Sequence, residues 1–264
     1  MITLRAHMDG LEETIRSLGL QAKQVSFATS LALNWSAKDV RADAYKEMRA
    51  KFDRPTPMTM RSLFIKPAKK DNLEATVWLK DQGLGANLQG SGTPLPGDPE
   101  PGSMAAIIGH QFRGGLRVAK GMEVQARAKG ILDRYEFLVP TEQARIDRYG
   151  NMSRGQVQQI YAALALFFDT YTNASDSQRS RRNARKAGRL FWSGGPGVAP
   201  YIDRPKGVWA AGPRGSAPKL IMAVVTRPIY RKLIDLDDIG ARTLGRVFPA
   251  HFQKALEQAA RTAR

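Results

Sequence analysis

Residues 22–52 read AKQVSFATSLALNWSAKDVRADAYKEMRAKF and contain neither glycine nor proline. Apolar side chains recur every four positions in the second half of this stretch, which is the spacing of one face of an α-helix. They are Val40, Ala44, Met48 and Phe52. The next residues, 53–57, include two prolines, which cannot continue a helix. The pattern therefore predicts one long helix that ends near residue 52.

Strand patterns flank this helix. Residues 60–66 and 73–80 are rich in β-branched and aromatic side chains, and the polar turn 69–72 separates them, which predicts a β-hairpin. On the other side of the helix, residues 2–5 form a further strand candidate. Between the two, Asp9 is suited to cap a short helix over residues 10–18.

A second long helix is predicted near the other end of the sequence. Its apolar face comprises Leu244, Phe248, Phe252 and Leu256, which lie four residues apart. Either Asp237 or Asp238 could cap its N-terminus with a side-chain oxygen. Pro249 should kink or split this helix.

The middle of the chain carries shorter elements. Residues 82–103 are rich in glycine and proline and have no periodic apolar face, which favours an exposed loop or a segment that a partner orders. Glycines interrupt a helical pattern over residues 104–130 and predict two short helices with a bend between them. Residues 132–139 could be extended, and another helix should start at 151–153. Its apolar face comprises Val157, Ile160, Tyr161, Leu164 and Phe168.

Three more strand candidates, residues 190–192, 207–211 and 220–227, are separated by turns rich in glycine and proline. The order of elements predicts an α+β fold, in which long N-terminal and C-terminal helices pack on a mostly antiparallel sheet with helical and loop insertions. The predicted regions are 1–81, with the long helix and the hairpin; 82–189, an insertion of loop, helices and a basic run; and 190–264. The strands and the C-terminal helix of the last region are expected to complete the sheet of the first.

Several classes of chemistry find no support in the residues. The chain has no cysteine, which excludes disulfides, thiolate nucleophiles and Cys-ligated metal sites. Its histidines are far apart and none has metal-ligand spacing. There is no phosphate-binding loop, Ser193 lies in no Gly-x-Ser-x-Gly elbow, and the adjacent Asp237 and Asp238 would point to different sides of a helix. We therefore expect no catalytic, cofactor-binding or metal-binding residues.

Positive charge is the main functional signal. Lys and Arg number 41 against 24 Asp and Glu, and the formal net charge of +17 implies an acidic partner. Nucleic acid, a membrane surface and an acidic protein subunit all qualify by charge, and of these we do not expect a membrane as the partner. No run of about eighteen apolar residues occurs, so no membrane span is predicted. The charge is densest near the end of the predicted insertion, where no acidic residue follows Asp176. The candidate contact residues are Arg179, Arg181, Arg182, Arg185, Lys186 and Arg189.

This arginine run admits three interpretations. Guanidinium groups bind phosphates with two parallel hydrogen bonds, which favours packaged DNA or another nucleic acid. The run has no interleaved aromatic side chain on which bases could stack, so specific single-strand recognition is disfavoured. A solvated basic loop and a contact with an acidic subunit are the other two interpretations. Elsewhere in the chain, Trp35, Trp78, Trp192 and Trp209 are predicted core anchors, and an exposed one would indicate an interface.

Five blocks of sequence carry a resemblance to a known family. They are DRPTP (53–57), RGGLR (113–117), GIL (130–132), DRYGNMSRGQ (147–156) and GVW (207–209). With these blocks in the same order over nearly the whole chain, the sequence resembles phage minor tail protein Z, the tail-completion family of long-tailed phages and its prophage relatives.

The resemblance implies a non-catalytic structural protein of the virion, in the tail or at the head–tail junction, which is assembled in the host cytoplasm. The expected partners are further copies of the chain in a ring, neighbouring tail, neck or portal-side proteins, and packaged DNA bound without sequence specificity. Sixfold symmetry is favoured, with twelvefold symmetry as the alternative. A DNA channel would explain strong positive charge without base-reading motifs. The alternative function is a sequence-independent nucleic-acid-binding protein that acts free in the host cell.

Overall fold

The structure is a computed structural model that describes residues 2–5, 22–80, 103–164, 190–194, 204–212 and 216–262. The helices in these ranges are α1 (Ala22–Lys51), α2 (Met104–Arg113), α3 (Gly121–Ala128), α4 (Arg154–Ala163) and α5 (Leu236–Thr262). The strands are β1 (Ile2–Arg5), β2 (Leu63–Lys66), β3 (Glu74–Leu79), β4 (Gly115–Leu116), β5 (Glu136–Pro140), β6 (Leu190–Ser193), β7 (Gly207–Ala210), β8 (Lys219–Thr226) and β9 (Ile229–Tyr230). All strand pairs are antiparallel, so the predicted α+β class is confirmed.

Two predicted segments cannot be compared with the structure. The short helix over residues 10–18, with Asp9 as its cap, lies outside the described residues. So does the predicted loop 82–103, apart from Ser103.

The chain divides into two compact units, each described by itself below. Unit 1 comprises Met1–Gln82, Ile108–Gly114 and Arg231–Arg264. Unit 2 comprises Gly83–Ile107 and Gly115–Tyr230. Within the described residues, no helix is long and apolar enough to span a membrane.

Unit 1 is built on a three-stranded sheet in the order β1-β3-β2. The central strand β3 buries Val77, which pairs with Ile2 on one side and with Ile65 on the other. The predicted hairpin is confirmed, and its turn is closed by hydrogen bonds between Lys69 and Asn72. Helix α1 fixes this turn, because the Asn34 side chain accepts from the Ala68 N–H (2.7 Å) and donates to the Ala68 carbonyl (3.0 Å).

Helices α1 and α5 pack along each other and cover this sheet. The predicted long helix is confirmed, and its face of Val40, Ala44 and Met48 is fully buried. The predicted apolar face of α5 is also confirmed. Leu244 and Phe248 pack against the core formed with the sheet, and Phe248, Phe252 and Leu256 pack against the first half of α1.

The start of α5 differs from the prediction. The helix begins at Leu236, and the Asp235 carboxylate accepts from the backbone N–H groups of Asp237 (3.1 Å) and Asp238 (3.3 Å). Asp235 is therefore the cap, and the prediction of Asp237 or Asp238 is wrong. The reason is that a cap residue precedes the first helical turn, whereas Asp237 and Asp238 are part of it. The helix also runs through Pro249 without being split.

Alanine substitutions at two glycines of α5 are expected to change stability in opposite directions. A Cβ atom on buried Gly240 would lie 1.7 Å from Cδ1 and 3.1 Å from Cγ1 of Ile2, whereas a Cβ on exposed Gly245 meets nothing within 4 Å. We expect Gly245→Ala to raise the free energy of unfolding by up to about 1 kcal/mol, because alanine favours the helix. Gly240→Ala should lower the free energy of unfolding by about 1–2 kcal/mol, because the overpacking against Ile2 costs more than the higher helix propensity of alanine contributes.

Urea unfolding of the two single variants, and of Gly240→Ala combined with Ile2→Ala, measures this difference. Ile2→Ala alone removes a buried side chain and serves as the reference. The double variant should be no less stable than Ile2→Ala, because the shorter side chain leaves room for the added methyl group. Equal effects of the two single substitutions would contradict the close approach of α5 to β1.

Unit 2 is built on a four-stranded sheet in the order β5-β8-β7-β6, with a bulge at Ile221 of β8 opposite Val208 and Trp209 of β7. A separate two-stranded ribbon joins β4 and β9. Helices α3 and α4 pack on the larger sheet, where Met122, Ile160 and Trp192 share one core. Helix α4 begins as predicted, since the Ser153 side chain accepts from the Gln156 N–H.

The pairing of the later strands corrects the predicted regions. Strands β6, β7 and β8 pair with one another and with β5, so the expectation that strands of region 190–264 complete the first sheet is wrong. The sequence pattern of a strand does not specify which distant strand it pairs with, which is why the pattern alone could not assign the strand partners. The prediction of two short helices within 104–130 is confirmed by α2 and α3. Of the tryptophans, Trp192 is buried, while Trp35, Trp78 and Trp209 are half-buried and none is exposed.

Candidate nucleic-acid interface

The predicted arginine run lies outside the described residues, but the elements on both sides of it belong to unit 2. Helix α4 ends at Ala163 and β6 begins at Leu190. Leu164 and Leu190, which bound the connection, both pack against the unit 2 core. The connection that contains Arg179 to Arg189 therefore starts and ends on unit 2.

The arginine run joins the four-stranded sheet at one end, and β5 begins at the other end. Leu190, which follows Arg189, pairs with Ala210, and Ala210 pairs with Lys219 at the start of β8. Thr226, at the other end of β8, pairs with Glu136 at the start of β5. The attachment point of the arginine run is thus at the opposite end of the sheet from the start of β5.

Arginine–aromatic contacts are frequent in unit 2. The surface pairs are Arg134–Tyr135 (5.5 Å), Arg227–Tyr135 (4.1 Å), Arg148–Tyr149 (4.7 Å) and Arg204–Trp209 (5.3 Å), measured from guanidinium carbon to ring centroid. At the exposed arginines, Arg134, Arg148 and Arg227, such contacts hold the guanidinium plane in one orientation while its N–H groups stay able to bind phosphate. Sequence reasoning missed these residues, although the two Arg-Tyr dipeptides at 134–135 and 148–149 were a signal. The contacts of Arg204 and Arg227 with aromatic residues bring together positions that are not adjacent in the sequence.

A buried ion pair lies between β4 and β5. The side chains of Arg117 and Glu123 are 7% and 1% exposed. Arg117 Nη1 donates to Glu123 Oε2 (2.8 Å), and Nη2 donates to Glu123 Oε1. The guanidinium carbon of Arg117 also lies 4.8 Å from the centre of the Phe137 ring. Burial by itself would lower the pKa of Arg117, but the hydrogen bond and the charge of Glu123 raise it, so Arg117 stays charged.

This ion pair and the neighbouring Arg127 satisfy outward backbone groups of β5. The Leu138 N–H donates to Glu123 Oε1 (2.7 Å), and the Leu138 carbonyl accepts from Arg117 Nη2 (3.3 Å). The Glu136 carbonyl accepts from Arg127 Nη2 (2.8 Å), and Pro140 has no N–H to satisfy. Side chains therefore take the place of a neighbouring strand along this edge.

Lys206 and Glu136 form a second close ion pair among the described residues of unit 2. Their Nζ–Oε2 distance is 2.6 Å, and Lys206 Nζ also lies 3.7 Å from Asp133 Oδ2. Partial burial by itself would raise the pKa of Glu136, but hydrogen bonds from the Asp133 backbone and from Lys206 lower it. The carboxylates of Asp133 and Glu136 thus both contact Lys206.

In unit 1, acidic residues of α1 form ion pairs with basic residues of α5. Asp39, Asp43 and Glu47 lie four residues apart on α1, which places them on one face. Their partners on α5 follow in reverse order, as in an antiparallel pair: His251 at 2.6 Å, Arg246 at 2.5 Å and Arg242 at 3.5 Å. Partial burial raises the pKa of Asp43, but hydrogen bonds from Lys46 and Thr243, with nearby positive charge, lower it below its ordinary value. These contacts neutralise positive charge on α5 and leave the arginine–aromatic pairs of unit 2 as a separate basic feature.

Other chemistry is not assembled in the described part of the chain. No group of three or more His, Asp or Glu side chains that could hold a metal ion occurs among the described residues. Asp238 pairs with Arg242 (2.8 Å), and Ser193 is fully buried. Comparisons with protein-family models, with curated proteins and with solved structures find no match for this chain.

Proposed function

We propose that this chain is a structural protein of a phage virion, in the tail or at the head–tail junction, that completes the tail or forms a neck ring and accommodates DNA in the channel. It acts by subunit packing and electrostatic attraction, without catalysis. The observation that carries the proposal is the resemblance of five blocks, in order, to the tail-completion family. The proposed partners are copies of itself in a sixfold or twelvefold ring, neighbouring tail, neck or portal-side proteins, and packaged DNA.

The contacts of the longest block support a structural role for its residues. Asp147 Oδ1 accepts from the N–H groups of Tyr149 (2.8 Å) and Asn151 (2.9 Å), around Gly150 at a φ of 79°. Ser153 then caps α4, and Gln156 Oε1 accepts from the Arg145 N–H (2.6 Å). The polar side chains of this block satisfy backbone groups of a turn and a helix start, as expected of residues that maintain a fold.

The RGGLR block has the same character. Gly114 and Gly115 both have positive φ, 74° and 81°, which only glycine adopts readily. This turn delivers Arg117 to the buried pair with Glu123, and that pair satisfies outward backbone groups of β5. The residues that carry the resemblance thus have structural contacts, which supports an assembly role.

Charge supports the DNA-channel part of the proposal. A net charge of +17 attracts a polyanion regardless of its sequence, and phosphate contacts carry no base information. The alternative is a sequence-independent nucleic-acid-binding protein that acts free in the host cell. The arginine–aromatic pairs of unit 2 favour it specifically, because they suit phosphate binding by an isolated subunit.

Charge reversal within the arginine run tests the proposal. The triple variant Arg181→Glu, Arg182→Glu and Arg185→Glu should still form rings but should impair DNA retention or tail joining in particles, because it places negative charge beside phosphate. The matched control reverses three exposed arginines of unit 1, Arg49→Glu, Arg61→Glu and Arg231→Glu. Particle yield, infectivity and the position of the chain in cryo-microscopy maps of intact particles are the measurements.

The two functions differ in the behaviour of the purified chain. A tail or neck subunit should form rings, detectable by sedimentation, and should bind DNA weakly as a single subunit. Tight DNA binding by a monomer that weakens steeply with salt, together with absence of the chain from mature particles, would establish the alternative. Unchanged particles and infectivity in the triple variant would remove the arginine run from the mechanism.

A further inference from the structure

Arg134, Tyr135 and Arg227 lie together where β5 begins and β8 ends. The guanidinium carbons of Arg227 and Arg134 lie 4.1 Å and 5.5 Å from the centre of the Tyr135 ring. The Arg227 N–H donates to the Tyr135 carbonyl (2.9 Å), so backbone and side chain join the same two residues. Tyr135 is 41% exposed, and both arginines are exposed. The geometry points to this cluster as a contact site for the phosphates of a DNA backbone, separate from the arginine run.

The backbone of Arg227 is held in a strained conformation. Its φ is 46°, in the left-handed region that residues with a Cβ rarely adopt. Pro228 follows it and disfavours the right-handed helical conformation for the preceding residue. The hydrogen bond to Tyr135 maintains this conformation, which directs the Arg227 side chain over the Tyr135 ring. Strain of this kind is concentrated at sites that position a side chain for binding.

Neither arginine is neutralised by an acidic neighbour. The carboxylates on either side, Asp133 and Glu136, contact Lys206. Among the residues that the structure describes, no carboxylate lies within salt-bridge distance of Arg134 or Arg227. Their guanidinium N–H groups are therefore available to an anion from outside the described residues.

The chemistry of the cluster fits phosphate better than a protein surface. A guanidinium group that stacks on an aromatic ring loses less freedom on binding, and its planar donors match two phosphate oxygens. Asp133 and Thr226, next to the cluster in the sequence, are exposed and polar, and the exposed apolar side chain of Ile229 lies two residues beyond Arg227, outside the cluster. Nothing in the cluster reads base edges, so the contact is independent of sequence.

Salt-titrated binding of the full-length chain to a short DNA duplex tests this inference, which rests on the DNA contact within the proposed function. The variant Arg134→Gln/Arg227→Gln should reduce the slope of log K against log salt by about 2, because about one unit is lost with each phosphate contact. The charge-preserving variant Arg134→Lys/Arg227→Lys should keep most of the slope but bind about three- to tenfold more weakly, because lysine lacks the planar donors. Tyr135→Phe should bind like the wild type, whereas Tyr135→Ala should bind more weakly, because only the former retains the ring.

The matched control is Arg49→Gln/Arg61→Gln, which removes the same charge from exposed positions of unit 1. If this control loses DNA affinity and salt dependence to the same extent, the effect is due to net charge, and the proposed phosphate site is wrong. Competition by polyglutamate as effective as that by DNA would also overturn it, in favour of an acidic protein. If the wild type binds no DNA, the phosphate site is wrong, while ring formation in the same sample would leave the structural role of the chain standing.

Discussion

Replacement of Glu123 by glutamine is expected to lower the free energy of unfolding of unit 2 by about 3–5 kcal/mol, because it leaves the buried charge of Arg117 without a counter-charge. Glutamine has nearly the same shape, so the loss reports charge and hydrogen bonding rather than packing. Both oxygens of Glu123 accept N–H groups, and the –NH2 group of glutamine cannot accept one. Urea unfolding at neutral pH measures it. Substituting Trp35 and Trp78 by phenylalanine leaves Trp192 and Trp209 as fluorescent reporters of unit 2.

The backbone of β5 distinguishes this ion pair from an ordinary buried one. Replacing both partners of a buried pair by apolar residues is often neutral or stabilising. Here Arg117→Leu/Glu123→Leu would also remove the partners of the Leu138 N–H and carbonyl, and each unsatisfied buried group costs about 1–3 kcal/mol. We therefore expect the double variant to stay destabilised.

The control for Glu123→Gln is Glu142→Gln, which removes the same charge from an exposed turn of unit 2 and should change stability by less than about 0.5 kcal/mol. A double leucine variant as stable as the wild type would show that the edge of β5 does not need the ion pair. Equal effects at the two glutamates would show that Glu123 is not buried with Arg117.

The substitution Gly207→Ala is expected to destabilise unit 2 by about 3 kcal/mol or more, beyond the usual range of 1–3 kcal/mol for overpacking. A Cβ atom on Gly207 would lie 2.3 Å from the Met222 carbonyl oxygen and 2.8 Å from Leu220 Cδ1. The first of these is a backbone atom within the sheet, so it cannot move aside without disturbing β8. Gly207 also pairs with Ser193 and Ala223, so the strain is transmitted to both neighbouring strands.

Unfolding in the same tryptophan-substituted background measures this effect, since Trp192 and Trp209 lie on β6 and β7. The control is Gly155→Ala in α4, where a Cβ would meet nothing within 4 Å, and this variant should be neutral or slightly stabilising. A Gly207 variant of wild-type stability would contradict the close approach of β7 to β8.

Local patterns predicted the elements of this fold better than their partners. The spacing of Val40, Ala44 and Met48 predicted α1, because a helical face is encoded within one segment. The partner of β5 was not predictable, because any strand with an alternating or apolar pattern could have paired with it. The cap of α5 was missed by two residues, since an aspartate at 235, 237 or 238 looks equally suitable until the first turn is known.

The candidate sites, too, were predictable only where their residues are adjacent in the sequence. The arginine run at 179–189 stands out because its charges are adjacent in the sequence, and it lies outside the described residues. The Tyr135 cluster depends on Arg227, which reaches the ring only when β5 and β8 pair. Arg117 and Glu123 were not predicted as a buried pair, because charged residues six positions apart are usually solvated. Their burial follows from the unpaired backbone of β5, which no sequence pattern displays.

The occupied edge of β5 also sets a limit on how copies of this chain can associate. Filament growth by sheet extension requires an unoccupied strand edge on both sides of every protomer. Since Arg117, Glu123 and Arg127 occupy the edge of β5, the four-stranded sheet cannot propagate from copy to copy in that direction. If the proposed multi-copy assembly forms, open-ended fibre growth on that side of the sheet is blocked, and contacts that close on themselves must set the copy number.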